Sequence, residues 1–444
     1  MITAWGLLGP ESLVSERRTR TLGLGATVRA FNDFAVPGLG GVWFGKQLFL
    51  ATLGVAVAEK VRSTGKQVQN IEVANAIEAL ACWLALNGNG WKSDPRLNGA
   101  QKMRNQTDLA FSRVRRPGFY VTQPMRQATV QPLLAFGLVE SSGERFNGFT
   151  CSKIGFELIE AACADLRPHK RGVLDHLVGW ARGIHDDVTN SNGLTQALSP
   201  LNSLPKPARE FLRDRLIRGH RDSTGVANNS RRRSSALSWI DRLRADPQTS
   251  VDWESRPPEL ETDHWHDLQS GALFFKTRDA AIVLLDAIEA EISNRVDQKL
   301  SLKATFPKVV ADRIALLSVY AQDFLEFKYD PSPAKIATAF CRECATDGKV
   351  RLVEHLLARE GRVLRQIGSD VVPGVAFRGG QAFSPTAARS PEEAGNEQEV
   401  ETDVRLPDGI SRRVRNLFLL NLDLHGELSS WLSTGNDGAG VGNG

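Results

Sequence analysis

The chain has 444 residues, 41% hydrophobic and 24% charged, with a formal net charge of +4. That length predicts two to four domains, and that balance is the one of a soluble globular protein able to bury real cores. Five cysteines, Cys82, Cys151, Cys163, Cys341 and Cys344, exclude a disulfide framework in a chain this size and fit a reducing cytoplasm.

The first twenty residues lack a basic region followed by a long apolar core, so no signal peptide is expected. The longest apolar run, from Gln47 to Ala58, falls short of the roughly 20 residues a membrane span needs. The expectation is a cytoplasmic protein with no membrane partner.

In chain order, residues 1–95 open with many glycines and then carry two helical patterns, Lys46–Arg62 and Ile71–Leu86. In the second, Ile71, Ala74, Ile77, Leu80, Ala81 and Leu84 recur at spacings of three and four, the mark of one apolar helix face. "NGNGWKSDPRLNG" then breaks the chain. Residues 96–165 form a central segment. Residues 166–250 read as a helical basic segment, with "DSTGVANNSRRRSS" as a mobile basic stretch. "DPQTSVDWESRPPELETD" (246–263) reads as a linker. Residues 265–375 read as a C-terminal helical domain, ending in one long helix pattern over 334–365, interrupted near Gly348. Residues 380–408 form a disordered acidic linker, and 409–433 return as a helical segment. The predicted fold is mainly α and multi-domain, with a few short strands.

Charge is unevenly placed. Between Arg96 and Arg126 the bases are Arg96, Lys102, Arg104, Arg113, Arg115, Arg116 and Arg126, against Asp108 alone. Segregation of this kind marks a candidate nucleic-acid face, as it does a solvated arginine-rich helix surface.

From Val130 to Ile159 the residues fall into a recognisable order. Leu133, Leu134 and Leu138 supply one apolar helix face. Gly137 fits a left-handed helix cap. Val139-Glu140 starts a strand, "SSGER" (141–145) makes a hairpin turn, and "FNGFT" returns. Thr150 or Ser152 caps a last helix packed through Gly155, Leu158 and Ile159. This pattern resembles the winged helix-turn-helix superfamily over about residues 100–165.

The resemblance implies a central winged helix with a small β-hairpin wing. It places nucleic-acid contacts on Thr122, Gln123, Arg126, Gln127, Thr129 and Gln131 at the head of the recognition helix, and on Arg145 and Lys153 in and beside the wing. Arg113, Arg115 and Arg116 extend the basic face, and Arg231, Arg232 and Arg233 form an electrostatic arm for a phosphate backbone. Pro132 departs from the pattern. Proline is tolerated only in a helix's first turn, so the recognition helix starts near Gln131 and is short, or it is kinked.

Little else reads as chemistry, and no catalytic residue, metal ligand or cofactor is assigned. Gly40–Gln47 is one residue from the phosphate loop G-x-x-x-x-G-K-[ST]. Gln47 stands where the metal ligand belongs, Val42-Trp43-Phe44 is bulky, and "RAFNDFAVPGLG" is a poor preceding strand. The stretch reads instead as a glycine-rich turn that packs Trp43 and Phe44 into a core and leads into a buried helix along Leu48, Phe49, Thr52 and Val55. Cys341 and Cys344 form a lone C-x-x-C, which reads as two buried cysteines on one helix face because zinc needs two further ligands. His185-Asp186-Asp187 reads as a helix-end cap.

The sequence therefore points to a non-enzymatic protein that binds double-stranded DNA as one subunit of a larger bacterial assembly, with other protein subunits as partners. The alternative is a docking or scaffold subunit of a genome-maintenance or antiviral genome-defence complex without DNA contact. A nucleotide-dependent enzyme resting on Gly40–Gln47 is the third reading.

Overall fold

The computed structural model describes residues 20, 22–141, 143, 145–189, 191–219, 226–246, 251–377 and 406–437. Of the acidic segment 380–408 only the last three residues are described. Ser142 and Glu144 of the expected wing, residues 222–225 of the basic stretch and the glycine-rich tail from 438 onward also lie outside the described residues.

The described chain is mainly helical, with two small antiparallel sheets. Its first half holds α1 (Gly25–Ala35), α2 (Gly45–Ser63), α3 (Asn70–Gly88), the single turns α4 (Ala100–Met103) and α5 (Phe111–Val114), and α6 (Val130–Ala135). The hairpin of β1 (Val139–Ser141) and β2 (Phe149–Cys151) and helix α7 (Lys153–Cys163) follow. Next come α8 (Val173–Arg182), α9 (Asn192–Leu198), α10 (Lys206–Arg218), α11 (Val226–Ala245) and α12 (Thr262–Ser293). The remainder is β3 (Leu300–Ser301), α13 (Lys308–Phe327), α14 (Ile336–Cys344), α15 (Lys349–Glu360), β4 (Leu364–Ile367), β5 (Asp370–Pro373), α16 (Arg412–His425) and α17 (Leu428–Asp437).

Two compact units emerge, one from the described residues within Met1–Thr27 and Leu273–Ser390, the other from those within Val28–Ala272 and Pro391–Gly444. In the second unit α2 is the axis. Fifteen of its nineteen residues are buried, which is why its sequence is apolar all round rather than striped. It crosses α3 at Gly54, where a Cβ would stand 2.6 Å from Ala74 Cα; only glycine admits so close an approach. Residues 96–165 share one apolar core with what precedes and follows them: Leu133 and Leu158 belong to the same buried cluster as Phe49 and Leu417.

Two elements differ from the sequence expectation. The stretch ending in "RRRSS" is not loose over its described part, because Arg231–Ser235 lie inside α11. The helix pattern over 334–365 is interrupted at Gly348 (φ +100) as expected, giving α14 and α15, but the helix stops at Glu360 rather than continuing to 365. The chain then leaves the helix through Gly361 in the left-handed region and enters strand β4.

Candidate nucleic-acid interface

The Gly40–Gln47 stretch is an internal cap. The Gly41 N–H donates to Ala128 O at 3.2 Å, the Trp43 N–H to Gln47 Oε1 at 2.9 Å and the Gly45 N–H to Asp423 Oδ2 at 2.8 Å. The amides that would cradle a phosphate are therefore bonded within the protein. Gln47, in the metal-ligand position, folds back on its own turn. Lys46 is buried and donates to the carbonyls of Gln196 and Ala197 at the end of α9. Burial lowers its pKa to about 8, against the opposing pull of Cys163 and Asp423. Trp43 and Phe44 are buried, as are Leu48, Phe49, Thr52 and Val55, the packing that the sequence predicts.

The glycine turn lies against the segment expected to read bases. At Gly40 (φ +58) a Cβ would come within 2.6 Å of Ala128 O and 2.8 Å of Pro132 Cδ. Pro132 is accommodated because α6 starts at Val130, which puts the ring in the first turn. The helix is six residues long, preceded by a 3-10 turn over Met125–Thr129. Thr129 is buried with its hydroxyl on Arg126 O. Gln131 joins Asp33 (2.6 Å) and Arg413 (2.9 Å). Thr122 is exposed, and Gln123 and Gln127 are half-buried.

The hairpin forms as the residues dictate. Val139 pairs with Cys151 and Ser141 with Phe149. Gly137 takes φ +71. Of the two candidate caps it is Ser152 that accepts the Gly155 N–H at 2.9 Å. Phe146–Gly148 is a 3-10 turn rather than strand, and this end of the hairpin serves another element: Asn70 donates to Phe146 O (3.0 Å) and Phe149 O (2.7 Å), and the Ile71 N–H donates to the Asn147 side-chain Oδ1 (3.0 Å). The base of the hairpin is thus clamped to the first turn of α3. Asn70 and Asn147 carry no motif signal, and only their bonds to residues some 76 to 79 positions away give them this role.

That clamp gathers arginines. Arg115 meets Glu72 in α3's first turn at 3.1 Å. Arg126 lies 5.5 Å over the Phe146 ring and donates to Asn75 at 2.5 Å. Arg62 donates to Asn70 Oδ1 at 2.8 Å. Arg145, at the hairpin, is exposed and makes no side-chain hydrogen bond or ion pair among the described residues. Arg113 is shared between Gln106 and Asp108, while the exposed Arg116 side chain donates to Ser112 O. The positive end of the α3 dipole adds to their field. Beneath them Glu78 accepts the N–H groups of Met125 (2.6 Å) and Arg126 (3.0 Å). Burial raises its pKa to about 7 despite these bonds.

The other predicted contacts are placed apart from this group. Lys153 is exposed at the start of α7, 4.0 Å from Glu157. In α11, Arg231 pairs with Glu261 (3.2 Å) and Arg232 with Asp263 (3.1 Å) and Asp267 (2.6 Å). Arg233 is 3% exposed and donates to Leu216 O and Pro37 O. These last two guanidiniums serve the interior.

Among the described residues, no group of three His, Cys, Asp or Glu is placed to hold a metal, and no helix is long and apolar enough to cross a membrane. Cys341 and Cys344 are buried on α14, and burial pushes the Cys341 thiol up to about 12. His185 packs against His176, ring centroids 4.4 Å apart. No family model matches the chain, and comparison with curated proteins and with solved structures likewise yields no match.

Proposed function

We propose that the protein binds double-stranded DNA through its phosphate backbone, as a winged-helix-like subunit of a larger assembly, with the β1–β2 hairpin and the arginines around the α3 N-terminus as the contact surface. The observation that carries this reading is the clamp between Asn70 and the hairpin, which sets Arg62, Arg115, Arg126 and Arg145 around one helix N-terminus. Phosphate contact suits this surface better than base reading, because α6 spans only about 9 Å and packs under Gly40 and Gly41.

The test is duplex binding across a salt series. Arg116→Glu with Arg145→Glu is the informative pair, since neither side chain supports the core. Loss of two phosphate contacts lowers the slope of log K against log salt by about 2. Unchanged affinity and slope would overturn the reading.

A docking subunit is the second reading. Val309, Leu316 and Val319 are exposed along one side of α13, with the exposed charges Asp312 and Arg313 among them, a mixed apolar and polar face of the sort that meets other proteins. Co-purification of a partner that survives nuclease treatment and the double substitution favours it.

A further inference from the structure

The unit containing residues 273–377 holds an arrangement that the sequence motifs do not flag. Helices α13, α14 and α15 follow one another, and a β-hairpin comes next. Strand β5 lies between β4 and the earlier strand β3, all antiparallel, and the Leu302 N–H extends the ladder to Ser369 O at 2.8 Å. α14 and α15 are joined by four residues, 345–348, ending at Gly348. A short glycine-containing turn between two helices, then a hairpin, is the element order of a helix–turn–helix with a wing.

The interior of this element is complete. Phe340, Cys341 and Cys344 of α14 and Leu352, Val353 and Leu356 of α15 are buried. Arg359 clasps Glu343 through two hydrogen bonds, 2.5 and 2.9 Å, and so locks α15 to α14. Glu360 accepts the N–H groups of Val363 (2.8 Å) and Leu364 (2.9 Å), which fixes the exit into the hairpin. Gln366 of β4 donates to Glu354 of α15 at 3.0 Å. Helix and hairpin are therefore held in one geometry.

The first turn of α15 and the side opposite its buried stripe have no internal partner among the described residues. Lys349 and Val350 are exposed in that first turn, Arg351 and Ala358 are exposed opposite the stripe, and the Lys349 and Arg351 side chains make no hydrogen bond or ion pair among the described residues. Arg362 and Arg365 are exposed on the hairpin side. Of the two carboxylates in 349–365, Glu360 is buried and Glu354 is engaged by Gln366. At twelve residues, α15 is about 18 Å long and fits a major groove about 12 Å wide. Its leading turn offers two cations for phosphates or guanine edges and an apolar Val350 for a thymine methyl.

We propose that α15 and the β4–β5 hairpin form a second DNA-binding element, with Lys349, Val350 and Arg351 entering the major groove and Arg365 lying along the flanking backbone. This element stands independently of the β1–β2 surface. Duplex DNA is the partner it fits, because the deep, narrow major groove of A-form RNA does not admit a helix.

The full chain is tested with a mixed-sequence duplex about two helical turns long (~21 bp), followed by fluorescence anisotropy over a salt series. The variants are Lys349→Glu with Arg351→Glu, Arg365→Glu alone, and Arg116→Glu with Arg145→Glu. Thermal melting confirms the fold, to which Arg365 gives one side-chain hydrogen bond, to Pro373 O at 3.2 Å. Reversal at Lys349 and Arg351 is expected to weaken binding at least tenfold and to lower the salt slope by about 2. Arg365→Glu is expected to lower the slope by about 1. Wild-type affinity in the Lys349/Arg351 variant overturns the proposal, whatever the Arg116/Arg145 variant does. Loss confined to the Arg116/Arg145 pair leaves the first reading standing and removes this one; loss confined to the α15 pair does the reverse. Duplex RNA that competes as well as DNA, or wild-type protein that binds no duplex, also overturns it.

Discussion

The carboxylate of Asp423 accepts the backbone N–H of Gly45 at 2.8 Å, bridging 378 residues of chain to cap the first turn of α2. A phosphate loop holds its ligand at this position, on the positive end of the following helix. Here the anion is the protein's own. Burial raises the pKa of Asp423, while the Gly45 N–H, Arg96 and Lys46 hold it down. Asp423→Ala leaves a buried N–H without an acceptor and is expected to cost about 1–3 kcal/mol, read as a lower urea midpoint. Because the cap is internal, magnesium and ATP should leave the wild-type melting temperature unchanged. A ligand-dependent rise that Lys46→Ala abolishes would show that the loop opens to nucleotide.

Glu78 makes stability depend on pH. Its pKa of about 7 in the fold lies above the unfolded value of 4.5. Protons are therefore bound more tightly in the folded state. The resulting stabilisation is fully present below pH 4.5 and is lost as pH rises through 7, at about 1.4 kcal/mol per unit within that window. Glu78→Gln removes this titration. The melting temperature of the wild type should fall relative to the variant between pH 5 and pH 7.5. Parallel curves across that range would rule out the assignment.

Gly155 fixes how α7 meets the β1–β2 hairpin. A Cβ there would collide with Leu138 O and stand 2.8 Å from Cys151 Sγ. Backbone cannot rotate away as a side-chain tip can, so Gly155→Ala is expected to destabilise by about 1–3 kcal/mol. Gly88→Ala is the control. It lies near the end of α3 with nothing within 4 Å of a Cβ, and it should be neutral or mildly stabilising. Equal effects at the two positions would contradict the packing described.

Local features were legible in sequence and distant partners were not. α3 follows from apolar spacing, α2 from its long apolar run, Gly137 from its left-handed cap, and the α7 cap from a choice of two residues, Thr150 or Ser152. Asp423 was invisible as the partner of Gly45 because nothing near it in the chain says what it caps. Arg232 and Arg233 read as a loose basic arm because their acceptors, Asp267 and Pro37 O, lie 35 and 196 residues away. The β4–β5 hairpin escaped for a different reason. In β4 only Leu364 is buried and in β5 only Val371, so neither strand shows the alternation by which a half-buried strand is read. The helical pattern of 334–365 also runs over the first two residues of β4, while β5 lies beyond it.

Arg20 ties the hairpin of the smaller unit to its helices. Its guanidinium donates to Asp286 at 2.9 Å and Glu289 at 2.5 Å and lies 3.8 Å from Glu360. The arginine side chain is fully buried, as is that of Glu360. Removing one partner from such a group leaves carboxylates without a counter-charge, at a cost of about 3–5 kcal/mol. Arg20→Ala should therefore unfold this unit at lower denaturant. The loss should be felt first at Val363 and Leu364, whose N–H groups Glu360 holds. Hydrogen exchange reads this directly: amides of residues 363–373 should exchange faster, while those of α2 and α3 keep their protection. Arg20→Lys keeps the charge but loses the planar fork, so it should restore only part of the protection. Full protection of 363–373 in Arg20→Ala would mean that Glu360 holds the hairpin without its cation.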